Sequence, residues 1–271
     1  MKVSFIGGGN MAAALIGGMV KRGFSAVAIQ VVELVPAARE RLTDQFGVRC
    51  AAVADDSVLA CDVLVLAVKP QQLREALAPL ASRLERQLVL SIAAGVRVVD
   101  IARWLGGYRR IVRAMPNTPA LVGAGMAGLC ADASVGRDER EIADSVLAAV
   151  GHTVWIDDES QMDALTAVSG SGPAYVFYFI EALQAAAEAL GFAPEAARKL
   201  AIETFAGATK LAAQSAESPA VLRGRVTSKG GTTEAALDSL DADRVAAAVS
   251  RAVAAACARG KALGDELGAG G

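Results

Sequence analysis

The first dozen residues constrain the fold more than any other stretch of the chain. Val3 to Ile6 form a short apolar run that passes without a spacer into Gly7-Gly8-Gly9-Asn10-Met11-Ala12. An apolar stretch from Ala13 to Val20 follows, closed by Lys21-Arg22-Gly23. That order reads as strand, glycine turn and helix, with basic residues and a glycine where a helix stops. The glycine spacing is GxGxxA. Gly7 permits the tight bend, Gly9 lets backbone approach a pyrophosphate, and Ala12 lets helix and sheet pack closely. The helix start then offers N–H groups and a positive dipole end to phosphates. Ile6, Gly7, Gly8, Gly9, Asn10 and Met11 are therefore candidate cofactor contacts.

The same rhythm continues. A second apolar run, Ala26 to Val32, ends at Glu33 and leads into a helical segment from Pro36 to Phe46. Further strands read as Val63–Val68, Leu88–Ile92 and Ile111–Ala114, with helical stretches near 71–83 and 98–105. Near-continuous apolar strands alternating with helices imply a parallel sheet covered on both faces. The expected class is α/β: an N-terminal Rossmann-type doubly wound sheet over residues 1–157. Ligands of open α/β sheets bind beyond the carboxyl ends of the strands. Those ends carry Ala67-Val68-Lys69-Pro70, Ala93-Ala94-Gly95 and, after the last strand, Asn117. Each could line a cofactor or merely punctuate the chain, and Lys69 could equally be a solvated surface residue. Glu33 stands about twenty residues after the glycine turn, where an acid can bond the ribose hydroxyls of NAD. It favours NADH over NADPH, unless Arg39 or Arg41 serves a 2′-phosphate while Glu33 faces solvent.

After Trp155-Ile156 the alternation stops, and residues 158–271 read as an all-helical C-terminal dimerisation domain. Ser169-Gly170-Ser171-Gly172-Pro173 introduces a helix with proline in its first turn, where the missing N–H costs nothing. The run Ala174 to Ile180 continues through Glu181-Ala182-Leu183 to Leu190-Gly191, which makes a buried helix the better reading than a strand. Pro194 opens a helix to about Gln214, and a last, alanine-rich helix runs from about Asp243 to Leu267. The Gly-Ala-Gly-Gly end is expected to be loose. Thin, alanine-faced helices are often completed by a second subunit, so at least a dimer is expected.

Bulk chemistry excludes several classes. With 27 basic and 29 acidic residues there is no positive field to hold a polyanion, which argues against nucleic acid. Cys50, Cys61, Cys130 and Cys257 lie far apart with no CxxC. Free thiols are expected rather than a metal site or disulfides. No signal peptide and no long uncharged apolar run is visible, so no membrane span is expected and the location reads as cytoplasmic. The single histidine, His152, precedes Thr153-Val154 at an apolar strand and is read as structural.

Between two helical stretches of the second half stands a polar loop, Val226-Thr227-Ser228-Lys229-Gly230-Gly231-Thr232-Thr233. It offers hydroxyls and glycine backbone N–H groups opening onto a helix, which suits a carboxylate. The threonines could equally do no more than cap that helix. Six segments now stand in order: FIGGGNMA at 5–12, LAVKPQ at 66–71, SIAAGV at 91–96, RAMPNTPALVGAGM at 113–126, SGSGPAYVFYFIEAL at 169–183 and VTSKGGTT at 226–233. Together they make the chain resemble the pyrroline-5-carboxylate reductases from the first strand to the final helix.

The resemblance implies reduction of 1-pyrroline-5-carboxylate to L-proline with NADPH or NADH, by a homodimer or ring of dimers. It also implies that Ser228, Gly231 and Thr232 hold the substrate carboxylate, that Gly230 leaves room for it, and that Thr233 faces the ring nitrogen. On this basis Ser228 and Thr233 are the candidate catalytic residues, while Ser171 and Gly172 lie along the nicotinamide. Lys229 stands where many members of the family have proline. Two other readings stay open. One is a hydroxy-acid reductase of the 6-phosphogluconate dehydrogenase-like group, for which Lys199 or Lys210 would be the helical-domain lysine. The other is a non-enzymatic NAD(P)-binding regulator.

Overall fold

The structure, a computed structural model, describes residues 1–269 of the chain. Eight strands form one sheet: β1 Val3–Ile6, β2 Ile29–Val32, β3 Arg49–Ala51, β4 Val63–Leu66, β5 Leu88–Ser91, β6 Ile111–Pro116, β7 Gly125–Ala131 and β8 Gly151–Trp155. Their order is β3-β2-β1-β4-β5-β6-β7-β8. The chain winds outward from β1 through β2 to β3, then crosses back to β4, which pairs in parallel with β1. The helices between them are α1 Asn10–Lys21, α2 Pro36–Phe46, α3 Asp56–Leu59, α4 Pro70–Leu77, α5 Val98–Trp104 and α6 Arg137–Leu147.

Strand alternation explains how both faces are covered. Val63 and Val65 of β4 join a core with Leu15, Ile16 and Met19 of α1, Leu42 of α2 and Val146 of α6. Leu64 and Leu66 join a second core with Leu73 and Leu77 of α4 and Ile101 of α5. Period two in the strands thus meets helices on opposite sides. Fully burying each such side chain stabilises by about 1.5–3 kcal/mol.

The sheet is not wholly parallel, as the sequence had suggested. β7 runs antiparallel to β6, and β8 returns parallel to β7. A short 3₁₀ turn, Thr118–Val122, and Gly123 at φ +73° reverse the chain directly. So short a connection can only make antiparallel neighbours, whereas α6 supplies the crossover that β8 requires.

The remaining helices are α7 Met162–Leu165, α8 Gly172–Ala189, α9 Pro194–Gln214, α10 Pro219–Arg225, α11 Thr232–Ala242 and α12 Val245–Ala269. A π-helical turn, Thr166–Gly170, separates α7 from α8. The chain divides into two compact units that differ from a cut at 157/158. Unit 1 holds Met1–Ser171 and the chain from Ala256 on, and unit 2 holds Gly172–Ala255. Residues 158–171 stay with the sheet because Met162 and Ala167 are buried and Leu165 lies directly over Gly128 of β7. The late turns of α12 join unit 1 through α5, where Arg97 pairs with Asp265 at 2.7 Å. Gly268 and Ala269, expected to be loose, are still helical; the final two glycines lie outside the described residues.

Candidate functional site

The glycine turn sits where the strand order reverses, between the carboxyl ends of β1 and β4. Gly7 adopts φ +101°, and a Cβ there would lie 2.7 Å from the Ala67 carbonyl oxygen. Only glycine fits. The Gly7 N–H donates to the Val32 carbonyl at 2.8 Å and the Ala67 N–H to that of Ile6 at 2.8 Å, so Ile6 anchors the turn to its neighbours. Gly9 is the N-cap of α1 without a side-chain cap, and a Cβ built on it meets nothing within 4 Å. The open side of Gly9, the exposed Asn10 and the unpaired first-turn N–H groups through Met11 and Ala12 leave an uncapped helix start of the kind that receives phosphates.

Glu33 does not point to solvent. One carboxylate oxygen accepts from the Gly8 N–H at 2.9 Å and the other from the Val35 N–H at 2.9 Å. The acid thereby ties the end of β2 to the glycine turn, a link across 25 residues that motif spacing does not show. Arg39 Nη1 donates to the carbonyls of Glu33 and Leu34, at 2.7 and 2.9 Å. Arg41 is exposed.

The other strand ends lie along the same edge of the sheet. Ala67 and Val68 are half-buried, Lys69 is exposed and serves as N-cap of α4, and Pro70 opens that helix. After β5, Ala93 is buried, Ala94 is half-buried and Gly95 turns the chain at φ +79°. Asn117 has a structural task. Its amide donates to the Ser169 carbonyl at 3.1 Å, and its side-chain oxygen accepts from the Met126 N–H at 2.8 Å. The bond spans 52 residues. It holds the turn after β6 beside the π-helical turn, which closes with the Ser171 N–H on the Thr166 carbonyl at 2.8 Å. Such π turns concentrate at functional sites. Ser171 and Gly172 follow it, both half-buried.

In unit 2 the loop between α10 and α11 is ordered by its own backbone. The Gly231 N–H donates to the Ser228 carbonyl at 3.0 Å, and the Gly230 N–H to the Glu234 carboxylate at 2.6 Å. Gly230 and Gly231 therefore provide room and, at Gly230, a left-handed turn at φ +72°, rather than spare donors. A Cβ on Gly231 would strike the Ser228 hydroxyl at 2.5 Å. Gly231 is the N-cap of α11 with no side-chain cap, so Thr232 and Thr233 do not cap that helix. What the loop presents is the hydroxyls of Ser228, Thr232 and Thr233 beside the free N–H groups at the start of α11. Lys229 is exposed next to them.

The other candidates stand apart from this chemistry. His152 is exposed in β8, and Lys199 and Lys210 are exposed on α9. Burial pushes the Cys61 and Cys130 thiols up from their ordinary pKa. Among the described residues no three His, Cys, Asp or Glu side chains gather as a metal site, and no helix is long and apolar enough to cross a membrane. A groove of about 450 Å³ between α8 and α9, lined by Phe177, Ile180 and Ile202 with Glu181, Glu188 and Arg198, shares no residue with the loop.

A doubly wound sheet, a GxGxxA turn at its switch point and a helical second unit define a two-domain protein of the dinucleotide-binding class. A family model described as pyrroline-5-carboxylate reductase dimerisation matches residues 159–263, and one described as NADP oxidoreductase coenzyme F420-dependent matches residues 2–95. The chain is 44% identical to a pyrroline-5-carboxylate reductase of Pseudomonas aeruginosa, over 98% of both chains. It superposes on the solved pyrroline-5-carboxylate reductase of Coxiella burnetii with a TM-score of 0.91 at 40% identity, covering 97% of this chain and 98% of that one. The Plasmodium falciparum pyrroline carboxylate reductase, solved with NADP bound, gives 0.86 at 29% identity over 97% and 98%. The chain belongs to the pyrroline-5-carboxylate reductase family.

Proposed function

We propose that this enzyme reduces 1-pyrroline-5-carboxylate to L-proline in the cytoplasm, as a homodimer or a ring of dimers, with NADH preferred over NADPH. The observation that carries the reading is the Ser228–Thr233 loop, which sets three hydroxyls beside an N-cap that has no side-chain cap, in a chain that also keeps the full glycine turn. The bound nicotinamide supplies the hydride. An imine protonated on nitrogen is already electrophilic, so the chain's task is to position it and exclude competing geometries. The start of α11 and the Ser228 and Thr232 hydroxyls suit the carboxylate. The Thr233 hydroxyl suits the ring nitrogen, where it orients the proton as hydride arrives. Hydride addition to an already protonated imine abstracts no proton and so asks for no general base.

Turnover is followed as loss of reduced-nicotinamide absorbance with 1-pyrroline-5-carboxylate supplied; activity on hydroxy acids alone, or none, would remove the assignment. Within it, Ser228→Ala is expected chiefly to raise the substrate KM, because the carboxylate keeps its charge throughout. Thr233→Val is expected to lower kcat as well, by about ten- to a hundredfold for one hydrogen bond to a charged group. The cofactor preference rests on Glu33. A 2′-phosphate beside its carboxylate meets like charge. Comparing kcat/KM for the two cofactors tests it, and a clear NADPH preference would overturn that part alone.

A further inference from the structure

We propose that the last turns of α12 are a brace for the cofactor: Leu263, Asp265 and Leu267 set the Ala93–Arg97 turn on which the nicotinamide half of the dinucleotide rests. The inference builds on the dinucleotide-binding part of the proposed function and on no part of the imine chemistry. The turn is gripped closely. A Cβ on Gly95 would lie 3.2 Å from Leu267 Cδ1 and 3.3 Å from Leu263 Cδ2. Gly264, between them, is buried; a side chain there would begin 3.1 Å from the Gly95 carbonyl oxygen and 3.2 Å from the Arg97 guanidinium. Lacking one, the helix backbone comes down onto the turn. One position on, the Asp265 carboxylate accepts from Arg97 Nη2 at 2.7 Å. One helical turn further, the Gly268 carbonyl accepts from Arg103 Nη2 at 2.8 Å.

The far end of the turn is fixed independently. Glu159 accepts from the Val98 N–H at 2.9 Å and from buried Arg113 at 2.9 Å, so the start of α5 cannot drift. A segment held from two directions, with no regular pairing of its own between β5 and α5, has its position written by its braces. That position matters because of the strand order. The pyrophosphate cradle follows β1, and the turn after β5 lies two strands away, roughly 10 Å along the carboxyl edge. A dinucleotide laid across the switch point with its adenosine toward β2 brings its nicotinamide half to β4 and β5.

The test is binding to the full-length protein, read by nicotinamide fluorescence for NADH and NADPH and by calorimetry for ADP-ribose, which lacks the nicotinamide. Asp265→Asn and Leu267→Ala are expected to raise the dinucleotide Kd by about 3- to 30-fold, the usual span for residues acting through a packed element. The Kd of ADP-ribose should not move. Glu266→Gln, on the same helix but in an exposed pair with Arg259, should change neither. Equal weakening of dinucleotide and ADP-ribose, or no weakening of either, would overturn the brace. A protein that binds NADH in this pattern yet fails to reduce the imine would remove the proposed reaction and leave the brace standing.

Discussion

Unit 1 and unit 2 solve the problem of hiding apolar surface in opposite ways. In unit 1, Phe5, Leu15, Ile16, Leu64 and Leu66 are wholly buried, and the sheet is covered on both faces by its own helices. In unit 2 only Ala197 and Ala201 of α9 are buried, while Phe177 is 64% exposed and Tyr178 69%. The stripe from Tyr175 to Ile180 reads from sequence as a buried helix core, yet in the single chain most of it faces outward. The same composition serves two ends: a self-contained core in one unit, and in the other a surface too apolar to be left to water. That is the arrangement a subunit interface demands, and it matches the span recognised as a dimerisation region.

The largest effect expected from this contrast follows deletion of residues 243–271. The cut removes α12 from both units, and the product should be aggregated or unfolded by gel filtration and circular dichroism. A soluble, monomeric and active truncation would erase the distinction. Next in size, Phe5→Ala should cost about 3–5 kcal/mol, and by the same amount at every protein concentration. Phe177→Glu should instead weaken subunit association by about 2 kcal/mol and make the melting temperature fall on dilution. If both substitutions behave alike in a dilution series, unit 2 is no more dependent on a partner than unit 1. The smallest effect concerns the bend between α11 and α12, where Arg244 holds φ +54° without being glycine. Arg244→Gly should relieve strain of about 1 kcal/mol and raise the melting temperature slightly.

Local pattern made much of this legible. The GxGxxA turn, the Pro36, Pro70 and Pro194 helix starts and the apolar strands β1, β4 and β5 all carry their signal within a few residues. β7 did not, because Gly-Met-Ala-Gly-Leu-Cys-Ala lacks the β-branched and aromatic residues that mark strands. β3 is three residues long and offers no period at all. In the site, the candidate turns could be located from strand ends, but not what holds them. Glu33 on Gly8, Asn117 on Ser169 and Asp265 on Arg97 are contacts across 25, 52 and 168 residues. Such pairs are decided by tertiary geometry, and a sequence read window by window contains no trace of them.

The continuity of α12 also sets an order of events at synthesis. Unit 1 is closed by residues from Ala256 on, which leave a ribosome after every strand of the sheet. The sheet and its two cores can assemble while the chain is still growing, since the last strand ends at Trp155. The Gly95 turn cannot receive the supports of Leu263 and Leu267 until those residues have been made. A nascent chain stalled before residue 256 should therefore lack the Leu263, Asp265 and Leu267 contacts to the Gly95–Arg97 segment.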